Sequence, residues 1–504
     1  MNQVRVRFAP SPTGPLHLGG MRTALYDYLF AKNTGGTFVL RIEDTDTARF
    51  VEGAEEYIME ALEWAGIVPD ESPVHGGPYG PYRQSERRAI YDRYTEQILK
   101  TDYAYLAFDT PEELDQIRAD FEARGDVFAY NYLTRTQLRN SLTLSETEVQ
   151  ELLENNTPYV VRFKMPIDRI LNLEDIIRGK FSVNTDTLDD KVLVKNDGMP
   201  TYHFANIIDD YEMKISHVIR GEEWLPSLGL HSLLYEAMGW EAPQFAHLSL
   251  ILKPEGKGKL SKRDGAKFGF PVFPMNFEDK VTGEIYPGYR EQGYLPEAFI
   301  NFLALLGWSP ADDKEILSLD EMANEFDLHK VHKAGARFSK EKAEWFNQQY
   351  LHRLDDTTVA EMFRKEFPNI SVEDENLLKI IGMMKERATF VKDIYSEGKF
   401  FFEKPQLFDE KAAKKAWNNE TGEILEQFME LIGDQDFTAE NIKQNIHLFA
   451  EQKGLGMGKI MMPLRLALVG ELKGPDVPDI MELLGKEEVK TRIAEAAGKL
   501  GQAS

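Results

Sequence analysis

The sequence lacks cysteine, is poor in histidine and contains no long apolar run. Without cysteine, the 504 residues can form neither a disulfide framework nor a thiolate zinc site, and a cysteine nucleophile is excluded. The longest apolar stretch, around residues 299–308, is far shorter than the roughly 18 residues that cross a bilayer and is typical of a core helix. No basic region followed by an apolar stretch opens the chain, so we expect no secretory signal and a cytoplasmic protein without a membrane anchor.

Positive charge is also scarce. The chain has 84 acidic and 59 basic side chains, a formal net charge of −25, which argues against a nonspecific nucleic-acid coat. A local basic surface stays possible, because phosphates respond mainly to charges within about 10 Å. Hydrophobic residues make up 42% and charged residues 28%, as in folded proteins, and the length predicts three to four domains at roughly 150 residues each.

The N-terminal residues have the pattern of a nucleotide-binding α/β domain. Residues 4–8 alternate apolar and polar side chains like a strand, and residues 9–20 hold three prolines and three glycines like a loop. Helical spacing follows over residues 21–31, and 38–42 is a second strand. Strand, glycine loop, helix and strand predict a doubly wound fold with its ligand site at the carboxyl ends of the strands.

The later parts of the chain differ from this opening. Residues 109–189 have the pattern of an inserted α+β segment, and strands predicted at 191–194 and 215–220 indicate that the α/β pattern resumes after it. After about residue 325 strand signals nearly vanish. We therefore predict an all-helical last third, with helices that include 357–365, 373–385 and 438–451.

Two segments suit phosphate binding. The loop at residues 10–20 places glycines, small hydroxyls and His17 before a helix, where backbone N–H groups and the helix dipole favour phosphate. Six Lys or Arg lie between residues 253 and 267, and Lys259 and Lys262 on this glycine-containing loop could reach one triphosphate from two sides. A Pro/Gly turn and a solvated charge run are the ordinary structural alternatives.

Three other segments suit a small polar substrate. Residues 41–46 bring carboxylates to the end of a strand, where they could bind an ammonium group or Mg²⁺, or cap the next helix. Residues 200–206 and 219–224 carry polar and aromatic side chains, and Arg220 ends a strand and can point into a cleft. Tyr202 and Trp224 could equally be core aromatics.

The combination and order of these segments resemble one family, the bacterial glutamyl-tRNA synthetases of aminoacyl-tRNA synthetase class I. His17-Leu18-Gly19-Gly20 resembles the HIGH motif, and Lys259 to Arg263 resembles the KMSKS motif with Leu260 for Met and Arg263 for Ser. The resemblance runs from end to end, and its other segments are 7–14, 41–46, 80–87, 201–206, 453–459 and 462–465.

The resemblance implies the activity and the partners. ATP, with Mg²⁺, would activate L-glutamate to glutamyl-adenylate, and the glutamyl group would pass to the 3′ end of tRNA(Glu). The catalytic residues would be His17, Lys259 and Lys262. Glutamate would be bound by Arg7, Ala9, Ser11, Glu43, Tyr202, Asn206 and Arg220. ATP would be bound by His17, Gly19, Glu223, Trp224 and Lys262.

The resemblance also implies the fold, an α/β multidomain protein whose Rossmann-type parallel-sheet catalytic domain carries an inserted α+β domain and is followed by all-α anticodon-binding domains. The implied divisions are the first half of the catalytic domain at 1–108, an acceptor-stem-binding insertion at 109–189, the second catalytic half at 190–252, a stem-contact region at 253–325 and a helical anticodon-binding region at 326–504.

Several finer expectations follow from the family. Some relatives hold zinc in the insertion through cysteines, so we expect no zinc here. We expect a monomer, and Arg387 falls near the position linked to anticodon discrimination. A non-discriminating enzyme that also charges tRNA(Gln) is the alternative. A small-metabolite nucleotidyltransferase, which would not need the helical third, and a catalytically dead tRNA-binding protein are alternatives from other classes.

Overall fold

The chain folds into two compact units. The structure, a computed structural model, describes residues 3–46, 49–280, 282–312, 314–433 and 435–501. One unit comprises Met1–Gln292 and Pro296–Ala343, and the other comprises Gly293–Leu295 and Glu344–Ser504. The finer five-part division of the chain stays a prediction.

The strands are short and lie in the first unit. In chain order they are β1 (Arg5–Phe8), β2 (Thr37–Leu40), β3 (Ala104–Ala107), β4 (Val160–Phe163), β5 (Ile170–Asp175), β6 (Gly179–Asn184), β7 (Val192–Val194), β8 (His217–Gly221), β9 (Gln244–Leu248), β10 (Ile251–Leu252), β11 (Phe277–Glu278), β12 (Ile285–Tyr286) and β13 (Ala336–Arg337).

The helices occur throughout the chain and dominate it after residue 340. In chain order they are α1 (Leu18–Asn33), α2 (Ala54–Trp64), α3 (Arg88–Leu99), α4 (Pro111–Ala123), α5 (Glu146–Glu154), α6 (Tyr202–Glu212), α7 (Leu228–Met238), α8 (Lys262–Phe268), α9 (Tyr289–Gln292), α10 (Pro296–Ala304), α11 (Leu319–Glu325), α12 (Lys340–Arg353), α13 (Asp356–Glu366), α14 (Asp374–Met384), α15 (Val391–Glu397), α16 (Lys399–Phe402), α17 (Glu410–Ala416), α18 (Thr421–Ile432), α19 (Ala439–Lys453), α20 (Gly458–Val469), α21 (Val477–Leu484) and α22 (Lys486–Leu500).

Parallel strands form the base of the candidate site. β1 pairs with β2 in parallel, with Val6 opposite Phe38, and β8 pairs with β9 in the same sense. β8 lies beside β1, since the Ser216 N–H donates to the Arg5 carbonyl over 2.9 Å. Helix α1 makes the crossover from β1 to β2, as parallel pairing requires. The predicted order of strand, loop, helix and strand is confirmed, and so is the doubly wound, parallel-sheet fold class.

The first strand is buried on both faces, although its alternating sequence predicts one polar, exposed face. Val6 and Phe8 lie in the core, and Arg5 and Arg7 are buried as well. Each arginine has a carboxylate partner from a distant segment, Glu71 at 2.8 Å for Arg5 and Asp210 at 3.0 Å for Arg7. These ion pairs allow charged side chains inside the sheet, where an unpaired charge would be strongly unfavourable.

Antiparallel strands form sheets of their own, among them one of β3, β4 and β7 and one of β5 and β6. β4 pairs antiparallel with β3 and with β7, and β5 pairs antiparallel with β6. β7 lies in the stretch 191–194, where the α/β pattern was expected to resume, and it pairs antiparallel with β4 instead of joining the parallel strands. A run of three apolar residues is compatible with either sheet, and only the pairing partner distinguishes them.

The second unit is helical, as predicted. α18, α19, α20, α21 and α22 enclose a buried cluster that contains Phe428, Ile446, Leu464 and Ile480. Thr438 caps α19 by accepting a hydrogen bond from the Asn441 N–H, in agreement with the predicted helix start. None of the helices in the described parts of the chain is long and apolar enough to cross a membrane.

Candidate active site

One cleft of about 1180 Å³ opens at the carboxyl ends of β1 and β8. This position is where a doubly wound sheet binds its ligands. Residues from widely separated segments line the cleft, and they include every residue predicted for the amino-acid and nucleotide subsites. These residues are Arg7, Ala9, Ser11, His17, Gly19, Glu43, Tyr202, Asn206, Arg220, Glu223, Trp224, Lys259 and Lys262.

His17 begins helix α1 and presents a hydrogen-bond donor. It is the N-cap residue, and its Nδ1 accepts from the Gly19 N–H over 3.3 Å. Because Nδ1 is an acceptor, the proton of the neutral ring lies on Nε2. Nε2 is buried and has no hydrogen-bond partner among the described residues. Burial, with the nearby Lys259 and Lys262, lowers the pKa of His17 to about 4, so the ring is a neutral donor near pH 7.

This depressed pKa predicts a pH-dependent stability. The unfolded chain binds the proton near pH 6.5 and the folded chain only near pH 4, so folding is disfavoured as pH falls through that window. At pH 5 the loss from His17 should be on the order of 2 kcal/mol. His17→Asn keeps an N-cap acceptor and removes the titration. Thermal unfolding between about pH 7 and pH 5 should therefore show a steeper loss of Tm for the wild type than for this variant. Equal slopes would contradict the neutral-histidine assignment.

Behind the cleft, arginines and carboxylates form a buried ion network, which continues from Arg41 through Asp209 to Arg87. Arg41 donates to Glu43 over 2.9 Å and to Asp210 over 2.7 Å. Arg7 donates from Nε to Asp210 over 3.0 Å, and its NH1 has no partner among the described residues. Burial opposes ionisation of Asp210, but Arg7 and Arg41 outweigh it and hold its pKa below the ordinary value. Asp210 therefore fixes Arg7 in place and leaves one face of its guanidinium for a ligand.

Glu43 is the carboxylate of this network that lines the cleft. Its Oε1 accepts from Arg41 and from the Asn206 amide, each over 2.9 Å. Its Oε2 has no hydrogen bond within the described residues. Burial raises the pKa of Glu43, and Arg41 and Arg7 oppose that rise. The arrangement leaves one carboxylate oxygen available to a cationic group.

Arg220 is a buried cation without an anionic partner. It is 5% exposed, and in the described part of the chain no carboxylate lies within ion-pair distance of it. Its guanidinium donates to neutral groups: His247 Nε2 at 3.0 Å, the Tyr202 hydroxyl at 3.2 Å, and His231 Nδ1 and the Trp224 carbonyl at 3.4 Å each. Burial lowers its pKa. Because a buried charge without compensation is unfavourable, a ligand anion in the cleft would complete this environment.

Aromatic stacking and one ion pair shape the rest of the cleft. Tyr202 stacks on Trp224 with ring centroids 4.1 Å apart, so both rings form the wall of the cleft rather than a separate core. Trp224 is 38% exposed, which leaves one side of its ring open. Lys259 pairs with Glu223 at 3.0 Å and so links the basic loop to the end of β8.

Two parts of the chain match described families. Residues 3–345 match class I tRNA synthetases (E and Q), catalytic domain, and residues 358–497 match an anticodon binding domain. The chain belongs to the class I tRNA synthetases of the E and Q group. The resemblance stated from the sequence is thereby confirmed.

This synthetase chain is similar over its whole length to proteins named as glutamate–tRNA ligases. It is 53% identical to proteins named glutamate–tRNA ligase from Christiangramia forsetii and Porphyromonas gingivalis, over 99% of each chain. A solved glutamate tRNA ligase from Elizabethkingia meningosepticum, in complex with its amino acid, superposes with a TM-score of 0.98 at 75% identity. That match covers 99% of this chain and 100% of the other. A glutamate-tRNA synthetase from Elizabethkingia anophelis superposes with a TM-score of 0.95 at 74% identity and the same coverage.

The predicted anticodon residue of this synthetase lies outside the cleft. Arg387 ends a short 3₁₀ turn after α14, in the second unit, and is exposed. Its positive charge is close enough to lower the pKa of Arg465, where burial is the larger cause. Both arginines lie within the anticodon-binding match. Their placement is compatible with a nucleic-acid contact, and the role of Arg387 stays a prediction.

Three residues that support the synthetase cleft were not assigned from the sequence. Asp210 holds Arg7, and its spacing of four from Asn206 along α6 was a usable signal, since such residues share a helix face. His247 holds Arg220, and Asp175 accepts from His247 Nδ1 over 2.6 Å. No local pattern marks His247 or Asp175. These two residues meet Arg220 only when β5 and β9 approach β8.

In the described ranges of this synthetase, no group of three or more His, Asp or Glu side chains is placed to hold a metal ion. The family uses ATP with Mg²⁺. Mg²⁺ typically keeps waters and binds substrate phosphates with one or two carboxylates, so the donors present fit a cation that arrives on the nucleotide. The absence of zinc stays a prediction from the lack of cysteine.

Proposed function

We infer that the chain is a glutamate–tRNA ligase that activates L-glutamate with ATP and transfers it to the 3′ end of tRNA(Glu). The observation that carries this inference is the uncompensated Arg220 in a cleft that is also lined by Glu43 and by His17 at the start of helix α1. The named relatives support the same activity. They give no support to the alternative that the enzyme also charges tRNA(Gln).

The charges of the proposed amino-acid subsite complement glutamate. Four buried arginines, Arg7, Arg41, Arg87 and Arg220, face three ion-paired buried carboxylates, Glu43, Asp209 and Asp210, which leaves one excess positive charge. Glutamate carries two carboxylates and one ammonium and therefore one excess negative charge. We propose that binding glutamate neutralises the subsite, a complementarity that also disfavours the neutral glutamine side chain.

The proposed contacts follow from the charge of Arg220, which no described carboxylate compensates, and from the atoms of Arg7 and Glu43 that have no hydrogen bond. Arg220 and the NH1 of Arg7 would bind carboxylates, and Oε2 of Glu43 would bind the ammonium. Tyr202 and Asn206 would complete the subsite, and Ala9 and Ser11 would contribute backbone or hydroxyl contacts. In the nucleotide subsite, His17 and Lys262 would contact the phosphates, with Gly19, Glu223, Trp224 and Lys259 beside them.

Catalysis in this proposal needs no protein nucleophile. A carboxylate oxygen of glutamate attacks the α-phosphorus of ATP, the bond to the bridging oxygen breaks, and pyrophosphate leaves. The protein contributes position, through the arginines and Glu43, and stabilises developing phosphate charge, through the neutral His17 donor and the Lys262 ammonium. Mg²⁺ on the nucleotide would neutralise further phosphate charge. The terminal ribose hydroxyl of tRNA then attacks the acyl carbonyl and releases AMP.

Glutamate-dependent pyrophosphate exchange tests this function. We expect exchange with glutamate, ATP, Mg²⁺ and tRNA(Glu), and little or none when tRNA is omitted, because productive glutamate activation in this family depends on bound tRNA. Glutamine and aspartate in place of glutamate are the controls and should support far less exchange. Robust exchange without tRNA would contradict the assignment and favour a small-metabolite nucleotidyltransferase.

Other features stay proposals. We propose that residues 109–189 bind the acceptor stem, that 253–325 contact the tRNA stem and that 326–504 read the anticodon. A monomer in the cytoplasm is the arrangement expected for an enzyme of translation. Charging should weaken with added salt, since each phosphate contact releases counterions.

A further inference from the structure

Lys262 and Lys259, the two lysines of the basic loop, are held by different interactions. Lys259 pairs with Glu223 at 3.0 Å. Lys262 is exposed at the edge of the cleft and has neither a hydrogen bond nor an ion pair to any described residue. Its ammonium instead lies close to three aromatic rings, whose centroids are at 5.0 Å for Tyr286, 5.5 Å for Phe273 and 5.9 Å for Phe277. We call these three rings the aromatic cage.

The aromatic cage belongs to the segment after the basic loop, inside the region 253–325 for which the resemblance implies only a contact with the tRNA stem. Phe277 lies opposite Tyr286 in the antiparallel pair β11–β12, so the hairpin places both rings together. Phe273 is buried and contacts Tyr286 edge to face at 5.9 Å. The segment is anchored because the Tyr57 hydroxyl donates to the Met275 carbonyl and accepts from its N–H. The cage is therefore a built feature of the hairpin.

The same segment contacts the start of helix α1. The Leu18 N–H donates to the Val272 carbonyl over 3.0 Å. The Phe273 ring meets the His17 ring edge to face at 5.9 Å. Phe273 thus contacts both His17 and Lys262, the two residues proposed to bind the triphosphate. The segment that carries Phe273 therefore sets the spacing between His17 and Lys262.

This arrangement matters because lysine is a flexible side chain on an exposed loop. Fixing the rotatable bonds of the lysine side chain costs conformational entropy, which weakens any interaction that needs the ammonium in one place. A cation over an aromatic face is attracted by the ring without forming a strong ion pair that a phosphate would have to break. A carboxylate at the same position would compete with the triphosphate for the charge. Aromatic rings orient the lysine and leave its charge available.

We propose that the aromatic cage is a positioning device that holds the Lys262 ammonium beside His17 before ATP binds. The proposal rests on the proposed function, since it concerns the step of adenylate formation. Phe273, Phe277 and Tyr286 touch no substrate and act through Lys262. The expected gain lies in the rate of the chemical step, because pre-organised charge stabilises the transition state without reorganisation.

Substitution of Tyr286 tests the cage. Tyr286→Leu removes the ring and keeps apolar volume, and it should lower kcat for glutamate-dependent pyrophosphate exchange about three- to thirtyfold, with KM for glutamate unchanged. Tyr286→Phe keeps the ring face and should stay within about twofold of the wild type. Ile285→Thr, at an exposed neighbour in the same strand, is the matched control. Unchanged kcat in Tyr286→Leu, or a faster rate, would overturn the proposal.

A double-mutant cycle separates positioning from a general effect on the fold. In the Lys262→Met background, Tyr286→Leu should cause no further loss of exchange, because the group it positions is already absent. Equal loss with and without Lys262 would refute action through this lysine. Thermal unfolding of all variants should give similar Tm values. A large drop in Tm for Tyr286→Leu, with exchange not restored in Tyr286→Phe, would also refute action through Lys262.

A spectroscopic readout makes the result independent of catalysis. After reductive ¹³C-dimethylation of lysines in the full chain, one resonance should be shifted upfield by ring currents, should vanish in Lys262→Arg and should move towards the bulk in Tyr286→Leu. Absence of such a resonance would overturn the cage, whatever the exchange assay gives. A shifted resonance in a wild type that shows no glutamate-dependent exchange would overturn the proposed function and leave the cage contact standing.

Discussion

Replacing Lys262 by alanine should lower glutamate-dependent pyrophosphate exchange by roughly 30- to 1000-fold, about 2–4 kcal/mol of transition-state stabilisation. The physical reason is that the Lys262 ammonium lies at the phosphate end of the cleft, close enough to His17 to lower the pKa of that histidine. From there the ammonium can stabilise the negative charge that develops on the phosphates. The fold should survive, because the side chain is exposed and forms no hydrogen bond among the described residues.

Steady-state exchange with tRNA present, and thermal unfolding of the same preparations, measure both parts of this expectation. Lys257→Ala is the matched control, since it removes the same charge from the same exposed loop at a residue that does not line the cleft. Full exchange by Lys262→Ala would exclude this lysine from the chemical step. An equal loss in Lys257→Ala would show that the charge of the loop matters and its position does not.

Replacing Arg220 by alanine should raise KM for glutamate at least about 100-fold and change KM for ATP only a few-fold. A substrate carboxylate would then enter a buried site without its guanidinium partner, and losses of this kind are typically 2–5 kcal/mol or more. Arg220→Lys should not restore binding. An ammonium group cannot reproduce the planar contacts to His247 and Tyr202 that orient the guanidinium towards the cleft.

Separate titrations of glutamate and ATP in the exchange assay measure this split. Arg169→Ala removes an arginine from a surface ion pair with Glu236, outside the cleft, and should change either KM by less than about twofold. A larger change in KM for ATP than for glutamate would assign Arg220 to the nucleotide subsite. Unchanged KM for both would remove it from substrate binding.

Much of the local chemistry could be predicted because it depends on short stretches of chain. The glycine loop and His17 precede a helix in sequence, so their place at a helix start follows from local geometry. Helix caps such as Thr110, whose hydroxyl accepts from the Glu113 N–H, are likewise encoded within four residues. The resemblance then supplied roles that no local rule could supply, and the structure brings all the proposed pocket residues together in one cleft.

The ionic network could not be predicted, because its partners are far apart in sequence. Arg7 and Asp210 are 203 residues apart, and Arg220 and His247 are 27 residues apart on neighbouring strands. The alternating pattern of β1 predicts an exposed polar face. That face is buried in the structure because Glu71 and Asp210 form ion pairs with its arginines. The antiparallel pairing of residues 192–194 could not be predicted for the same reason, since a short apolar run does not identify its neighbouring strand.

The sequence by itself determined the class of chemistry and the order of the elements, because spacing along one strand or helix and a matched order of motifs are properties of the chain alone. The tertiary structure decided which charges are compensated: Asp210 occupies Arg7, no described carboxylate occupies Arg220, and aromatic rings rather than an anion hold Lys262. Burial and pairing depend on what the fold brings within a few ångströms, and that is set by topology across the whole unit rather than by any segment.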